Sequence, residues 1–275
     1  MQISSEIKDK LTFLTGNLSL LENITCLKVH QVFDDLVVNF FDALSNELMH
    51  DPRSKQFSDV ISYAFWIRKS SLLKAKNSFL NLNKLGRGVA FHIAPSNVPI
   101  NFAVSMTSAL LAGNSCVIRV SNKDFEQVNI VTEAINKVLA KTEFVSLQGY
   151  IITVRYERDK IVNDYLSSIC DLRIVWGGDR TIEEIRKSSI PARAIEMTFA
   201  DRYSIAIINA DEYLKQDPKT IAQKFYIDTY FTDQNACSSP RLVVWTGDNI
   251  DKAQEQFWSK GTEYFAVAGS VAGTL

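Results

Sequence analysis

The sequence predicts an α/β protein, a doubly wound parallel sheet of Rossmann type behind an N-terminal helical region. Three observations carry this. Only one glycine, Gly16, occurs in the first 80 residues, and the apolar residues there recur at helical spacing. From Gly86 onward, short and fully apolar strands alternate with helical stretches, the pattern of a parallel sheet covered on both faces. The chain of 275 residues is 46% hydrophobic and 22% charged, the balance of a soluble globular protein with room for one large domain or two ordinary ones.

Taken in order, residues 27–48 place Phe33, Val37, Phe40, Phe41, Leu44 and Leu48 on one helical face. Asp51-Pro52 punctuates, and a second helical stretch runs through about 57–80. "RGVAFHIAPSN" is a strand ending at Pro95, followed by a helix with Pro99 in its first turn and Gly113-Asn114 at its end. "SCVIRV" (115–120), a helix over 123–141, "GYIITVRY" (149–156), a helix near 159–168 and "DLRIVWGG" (171–178) continue the series. Asp179 caps the next helix, which holds Ile182 and Ile185. "RYSIAIIN" (202–209) is a strand, a helix carries Ile221, Phe225 and Ile227, "RLVVWT" (241–246) is a strand, and 249–260 reads as helix. The final "YFAVAGSVAGTL" is small and apolar, like the middle of something.

The formal net charge is −1 and the pI about 6.3, so no overall field favours nucleic acid or an anionic membrane. Neither a signal peptide nor a membrane span is visible. Cys26, Cys116, Cys170 and Cys237 form no CxxC pair, and none of the three histidines stands near one in a ligand spacing. No metal site is expected, and the compartment expected is the reducing cytoplasm with free thiols. His92, inside the first sheet strand, reads as a packed core residue rather than a catalyst.

A doubly wound sheet binds its ligand at the carboxyl ends of its strands. Here those ends read "APSN" (94–97), "RVSN" (119–122) and "WGGD" (176–179), polar and small where a nucleotide would lie. GxGxxG is absent. The "WGGD" turn opens a helix, whose N-terminus would suit a phosphate, although a Gly-Gly turn is more often only a turn. Cys237 stands between a polar, turn-prone run and an apolar strand. On the residues alone a buried structural thiol is favoured over a nucleophile.

"IAPSNVPINFAVSMTSALLAGNSCVIRVSN" resembles the aldehyde dehydrogenase superfamily, with its Pro-x-Asn-x-Pro turn, its helix ending Ala-Gly-Asn and its strand ending in a basic residue two before a serine. "FTDQNACSSPRLVVW" resembles the segment carrying that superfamily's catalytic cysteine, "WGGDRTIEEI" its small-residue turn at the nicotinamide, and "AIEMTFADRYSIAI" its Glu-Leu-Gly-Gly segment. All four occur in the expected order over about Arg87–Thr246. "APSNVP", "VWGGD" and "NACSSPR" resemble most the LuxC-like acyl-CoA reductase branch, the fatty acid reductases of bacterial luminescence and their relatives. The two glycines after the glutamate are replaced by Thr198 and Phe199, which suits that divergent branch.

The resemblance implies an aldehyde dehydrogenase-like fold. Residues 1–80 would be an N-terminal helical region, 81–200 the nicotinamide nucleotide-binding domain and 201–275 the start of a catalytic domain. It implies that Cys237 accepts the acyl group of a fatty acyl-CoA or acyl-protein thioester and that NADPH then reduces it to the aldehyde. Asn97 and the backbone N–H of Cys237 would hold the oxyanion, a type of contact worth about 3 kcal/mol each. Glu196 aligns with the superfamily's general base, here either aiding proton transfer or pairing with a neighbour. Pro95, Ser96, Arg119, Ser121, Asn122, Trp176, Gly177 and Gly178 would line the cofactor. Arg119 takes the place of the lysine at the adenosine ribose. Asn122 takes the place of a glutamate frequent in NAD-preferring members, which favours NADPH (NADP) over NAD.

A homo-oligomer or an acyl-supplying protein partner is compatible with this reading. The alternatives are an aldehyde dehydrogenase acting in the oxidative direction, or an inactive relative acting as a subunit or scaffold. Only 38 residues follow Cys237, so the catalytic domain is expected to be partial. The strand at 241–246 is expected to lack partners, with 247–275 poorly ordered or packed in a non-family way.

Overall fold

In the computed structural model, which describes residues 3–79, 83–230, 234 and 236–259, the chain divides into two units, Met1–Ala200 and Asp201–Leu275. The first is built on six strands: β1 (Thr12–Thr15), β2 (Val89–Ile93), β3 (Ser115–Arg119), β4 (Ile151–Arg155), β5 (Leu172–Trp176) and β6 (Ile195–Phe199). Their order is β1-β4-β3-β2-β5-β6. All neighbours are parallel except β1, which pairs antiparallel with β4 at one edge. Every residue of β2 is buried, and in β3, β4 and β5 only the last residue is half-buried rather than buried. Such strands need cover on both faces, and helices supply it.

The helices of this unit are α1 (Ser5–Lys8), α2 (Leu18–Asn23), α3 (Asp35–His50), α4 (Ser58–Trp66), α5 (Lys69–Lys76), α6 (Asn101–Leu111), α7 (Glu126–Leu139), α8 (Lys160–Ser168) and α9 (Asp179–Arg186). On one face α3, α4, α6 and α7 share a core with Ala90, Ile118 and Ile174 of the sheet. On the other, α1, α2, α8 and α9 pack on Phe91, Val117, Val154 and Val175. The alternation of neighbouring strand residues between these two cores follows from the two-residue period of a strand.

Residues 1–80 are therefore not a separate helical region. β1 completes the sheet, and α3 lies in the same core as α6. The sequence hides this strand because Thr12–Thr15 is four residues long and its burial is incomplete. α3 begins later than periodicity predicts: Phe33 adopts φ +55°, and Asp34 then caps the helix by accepting from Leu36 N at 2.9 Å. The second predicted helix is two, broken where Arg68 is extended. Gly113 does close α6, with φ +89° and its N–H donating to Leu110 O while Asn114 N donates to Ala109 O, a turn that favours glycine. Pro99 lies before α6 rather than in its first turn, and Gly178, not Asp179, is the N-cap of α9.

The second unit holds β7 (Ser204–Asn209) and β8 (Pro240–Thr246), paired in parallel. The strand at 241–246 thus has a partner, contrary to the sequence-based expectation, because β7 returns beside it after two helices. α10 (Ala210–Tyr213) is capped by Asn209, and α11 (Pro218–Thr229) is capped by Asp217 with Pro218 in its first turn. Residues 250–259 are helical, and Ala253 and Phe257 pack with Ala210, Tyr213 and Phe225 on one face of the strand pair. The opposite face exposes Ile205, Ile207, Leu242 and Val244. The expectation for 260–275 lies outside the described residues. Among the described residues no helix is long and apolar enough to cross a membrane, and no group of side chains is arranged to hold a metal ion.

Candidate active site

The strand order contains one reversal. β2, β3 and β4 proceed outward in one direction, and β5 then returns to the other side of β2. The crevice at such a switch point, outside the carboxyl ends of the strands, is where open α/β sheets bind ligands. Its two walls are the segment after β2, with Pro95, Ser96 and Asn97, and the turn after β5, with Trp176, Gly177 and Gly178. Ser96 and Asn97 are exposed, as groups that meet a ligand must be. Gly178 leaves the start of α9 without a side-chain cap, so its first-turn N–H groups have no competing side-chain acceptor.

Arg119 ends β3, the next carboxyl terminus along. Its guanidinium lies 4.7 Å over the Tyr156 ring and donates to Tyr156 O at 3.4 Å, while its buried Nε has no partner. A cation held at one side with a donor left over fits an anionic nucleotide group. Ser121 Oγ accepts from Lys123 N at 3.2 Å, which tightens the turn that carries the exposed Asn122. The sequence-predicted nucleotide residues thus gather along the carboxyl ends of β2, β3 and β5.

Trp176 is fixed by two contacts. Its indole N–H donates to Ser105 Oγ at 3.1 Å, and its ring stacks on Phe199 with centroids 3.9 Å apart and planes within 8°. Ser105 also shares a 2.8 Å hydrogen bond with His92 Nδ1. His92 is fully buried, and burial pushes its pKa down to about 3, so the ring is neutral and serves as a support behind Trp176. This agrees with its reading as a core residue.

Glu196 takes the second of the two roles expected of it, pairing with neighbours. It pairs in register with Arg173, near the start of β5, whereas Phe199 pairs with Trp176 at the carboxyl end. Three residues of strand, roughly 10 Å, separate Glu196 from that edge. Being an odd number apart, Glu196 and Phe199 also face opposite sides of the sheet. Glu196 Oε2 accepts from Arg173 Nε at 2.7 Å and Oε1 from Arg186 Nε at 2.7 Å. Burial alone would raise its pKa, but the two guanidinium groups outweigh burial and hold it below the ordinary carboxyl range. The residue occupying the carboxyl edge of β6 is Phe199, which the sequence reading passed over. The signal was available in the spacing, since Phe199 is the odd-numbered neighbour that a strand carries to Trp176's side.

Cys237 belongs to the second unit. It is exposed, in a turn just before β8, and its carbonyl accepts from Ser204 Oγ at 2.8 Å. That bond ties the turn to the start of β7. Gln234, three residues earlier, adopts φ +57°; residues 231–233 and 235 of the same loop lie outside the described residues. Cys116 and Cys170 are buried instead. Burial raises both thiols, that of Cys170 to about 11, so neither supplies thiolate at neutral pH. Cys26 is exposed but lies in a short helical turn after α2, remote in the fold from the switch-point loops.

Comparison with known proteins agrees with this fold. Residues 13–257 match the family described as Acyl-CoA reductase (LuxC). The chain is 28% identical over 164 residues to a long-chain acyl-protein thioester reductase of Aliivibrio fischeri, a match covering 60% of this chain and 33% of that protein. It is 27% identical over 170 residues to long-chain acyl-protein thioester reductase 2 of Photobacterium leiognathi, covering 61% and 34%. The match spans about a third of the length of these curated relatives. Among solved structures, a 1-pyrroline-5-carboxylate dehydrogenase of Thermus thermophilus superposes with TM-score 0.64 at 12% identity, over 91% of this chain and 52% of that one. An NAD-dependent aldehyde dehydrogenase of Sinorhizobium meliloti gives 0.61 at 14%, over 81% and 48%. At such identities these are likenesses of fold, and the fold is that of the aldehyde dehydrogenases. With the family matched over most of its length and the aldehyde dehydrogenase-like sheet in place, the chain belongs to the LuxC acyl-CoA reductase family.

Proposed function

We propose that this protein reduces a fatty acyl thioester, carried by coenzyme A or by a protein, to the aldehyde with NADPH, through an acyl-enzyme on Cys237. The observation that supports it most is the pairing of the Pro95–Asn97 segment with the Trp176–Gly178 turn at the switch point of the sheet, in a member of this family. NADPH, when bound, supplies the hydride. Arg119 binds its ribose and phosphate region, and the neutral Asn122 leaves room for a 2′-phosphate that a carboxylate would repel. Gly177 and Gly178 let the cofactor approach the backbone at the start of α9.

Cys237 Sγ attacks the thioester carbonyl carbon. The new C–S bond forms, the carbonyl electron pair moves to oxygen, and its return expels the donor thiolate. Asn97 and the Cys237 N–H donate to that oxyanion. Once the acyl carbon is reduced, the second oxyanion collapses, the bond to Cys237 breaks, and the aldehyde leaves with the thiolate restored. The free thiols suit a reducing cytoplasm. With an acyl-protein as donor, the acyl-supplying protein becomes a partner.

The test follows nicotinamide absorbance with a long-chain acyl-CoA. Consumption is expected to be faster with NADPH than with NADH. It should be abolished by Cys237→Ser and largely kept by Cys116→Ser and Cys170→Ser. Three variants behaving alike would refute the assignment of the nucleophile.

A further inference from the structure

β5 is apolar except for its second residue. Arg173 is 3% exposed, and a guanidinium keeps its charge at any ordinary pH, so burial demands a full set of acceptors. It has them. Nε and Nη2 both reach Glu196 Oε2, at 2.7 and 2.5 Å. Three acceptors surround Nη1: Ser188 O at 2.5 Å, Ser167 Oγ at 3.1 Å and Ile185 O at 3.2 Å. Arg186, half-exposed, binds the other oxygen of Glu196 from outside.

These acceptors have a common location. Ser167 is in the last turn of α8, Ile185 is in the last turn of α9, and Ser188 lies just beyond it. A buried cation at two helix C-termini meets the favourable end of each dipole, and its acceptors here are the Ser167 hydroxyl at the end of α8 and the Ile185 and Ser188 carbonyls at the end of α9. α9 has eight residues, about 12 Å of helix, and its opposite end is the Gly177–Gly178 turn. β5 therefore touches α9 twice: through that turn at the carboxyl end, and through Arg173 at the other.

We propose that Arg173 and Glu196 form a positioning pair that anchors the far end of α9 and thereby sets the Gly177–Gly178 turn. This rests on the reading of that turn as nucleotide-facing. Glu196 acts by neutralising and orienting Arg173. An apolar side chain at 173 would fill the space, but it would take the Arg173 donor from Ser188 O and leave Ile185 O only its bond from Ser188 N.

The experiment combines amide hydrogen exchange across 177–183 with titration of NADPH, read by nicotinamide fluorescence, using the 275-residue chain. Glu196→Gln should speed exchange at the turn and weaken NADPH binding, each about tenfold, an energy equivalent to one hydrogen bond to a charged group. Arg186→Gln should leave both within about twofold, as expected of an exposed partner. Glu196→Asp should recover part of the loss. Should Arg173→Met fail to fold, Arg173→Met/Glu196→Leu removes both charges together, and it should fold yet keep the fast-exchanging turn. Unchanged exchange at 177–183 in both Glu196→Gln and the double variant would overturn the proposal. If the wild-type chain binds no nucleotide while the turn loosens as stated, the anchor stands and the nucleotide reading fails.

Discussion

The two units use similar sequences for different ends. "VAFHI" of β2 and "SIAIIN" of β7 are equally apolar, yet β2 is buried throughout while β7 alternates between half-buried and exposed positions. The first unit covers its sheet on both faces, and its buried side chains make a continuous core on each side. Among the described residues, the second covers one face of a strand pair, and four aliphatic side chains on the other are exposed. The cysteines beside strands follow the same contrast: the first unit's sheet and its helices bury Cys116 and Cys170, the second presents Cys237, and Cys26 is exposed in a short helical turn away from any strand. Apolar composition marks a strand, but only its neighbours decide whether a thiol on or beside it reacts.

The contrast is broken most forcefully in the first core. Phe91 is fully buried in β2, and Phe91→Ala should cost about 3–5 kcal/mol, read as a large shift of the denaturant midpoint for the first unit. Next in size is the cofactor edge. Asn122→Glu sets a carboxylate beside the position argued for the 2′-phosphate, and NADPH affinity should fall about tenfold or more while NADH changes little. Equal loss for both would show that residue 122 faces something else.

A smaller effect concerns acid. Because the folded pKa of Glu196 lies below its ordinary value, its ion pairs stabilise the fold above the ordinary carboxyl range. That contribution disappears as pH falls through the lowered value. Thermal unfolding from pH 7 down to about pH 3 should therefore lose less stability on acidification in Glu196→Gln than in wild type, although the variant is weaker at pH 7. The least effect is expected at the uncovered face. Ile207 is 66% exposed, so Ile207→Ser should change stability by no more than about 0.5 kcal/mol. A loss like that of Phe91→Ala would mean this face is covered in solution.

β2 through β5 were legible in the sequence because double-sided burial leaves uninterrupted aliphatic runs bounded by turns. β1 and β6 were not. "TFLT" is too short to show a period, and "IEMTF" mixes polar and apolar residues because it lies at a sheet edge. The candidate segments were legible where they depend on local order: the Pro95–Asn97 turn, the Gly177–Gly178 turn and the Cys237 loop each occupy a few consecutive residues. Glu196 was legible only as a choice between two roles, because its meaning is set by register. The sequence places it near a family glutamate, but pairing with Arg173 rather than Trp176 decides which end and which face of the sheet it occupies. Such pairing joins residues 23 apart, and nothing within five residues of Glu196 announces it.

The central claim is that Cys237 carries the acyl group. Incubating the protein with a long-chain acyl-CoA in the absence of NADPH, followed by digestion and mass spectrometry, reads this directly. One acyl mass on the peptide bearing Cys237, removed when NADPH is added and absent in Cys237→Ser, is the predicted result. Acyl mass on the exposed Cys26 with Cys237 unmodified would contradict it, as would an unmodified protein that still forms aldehyde.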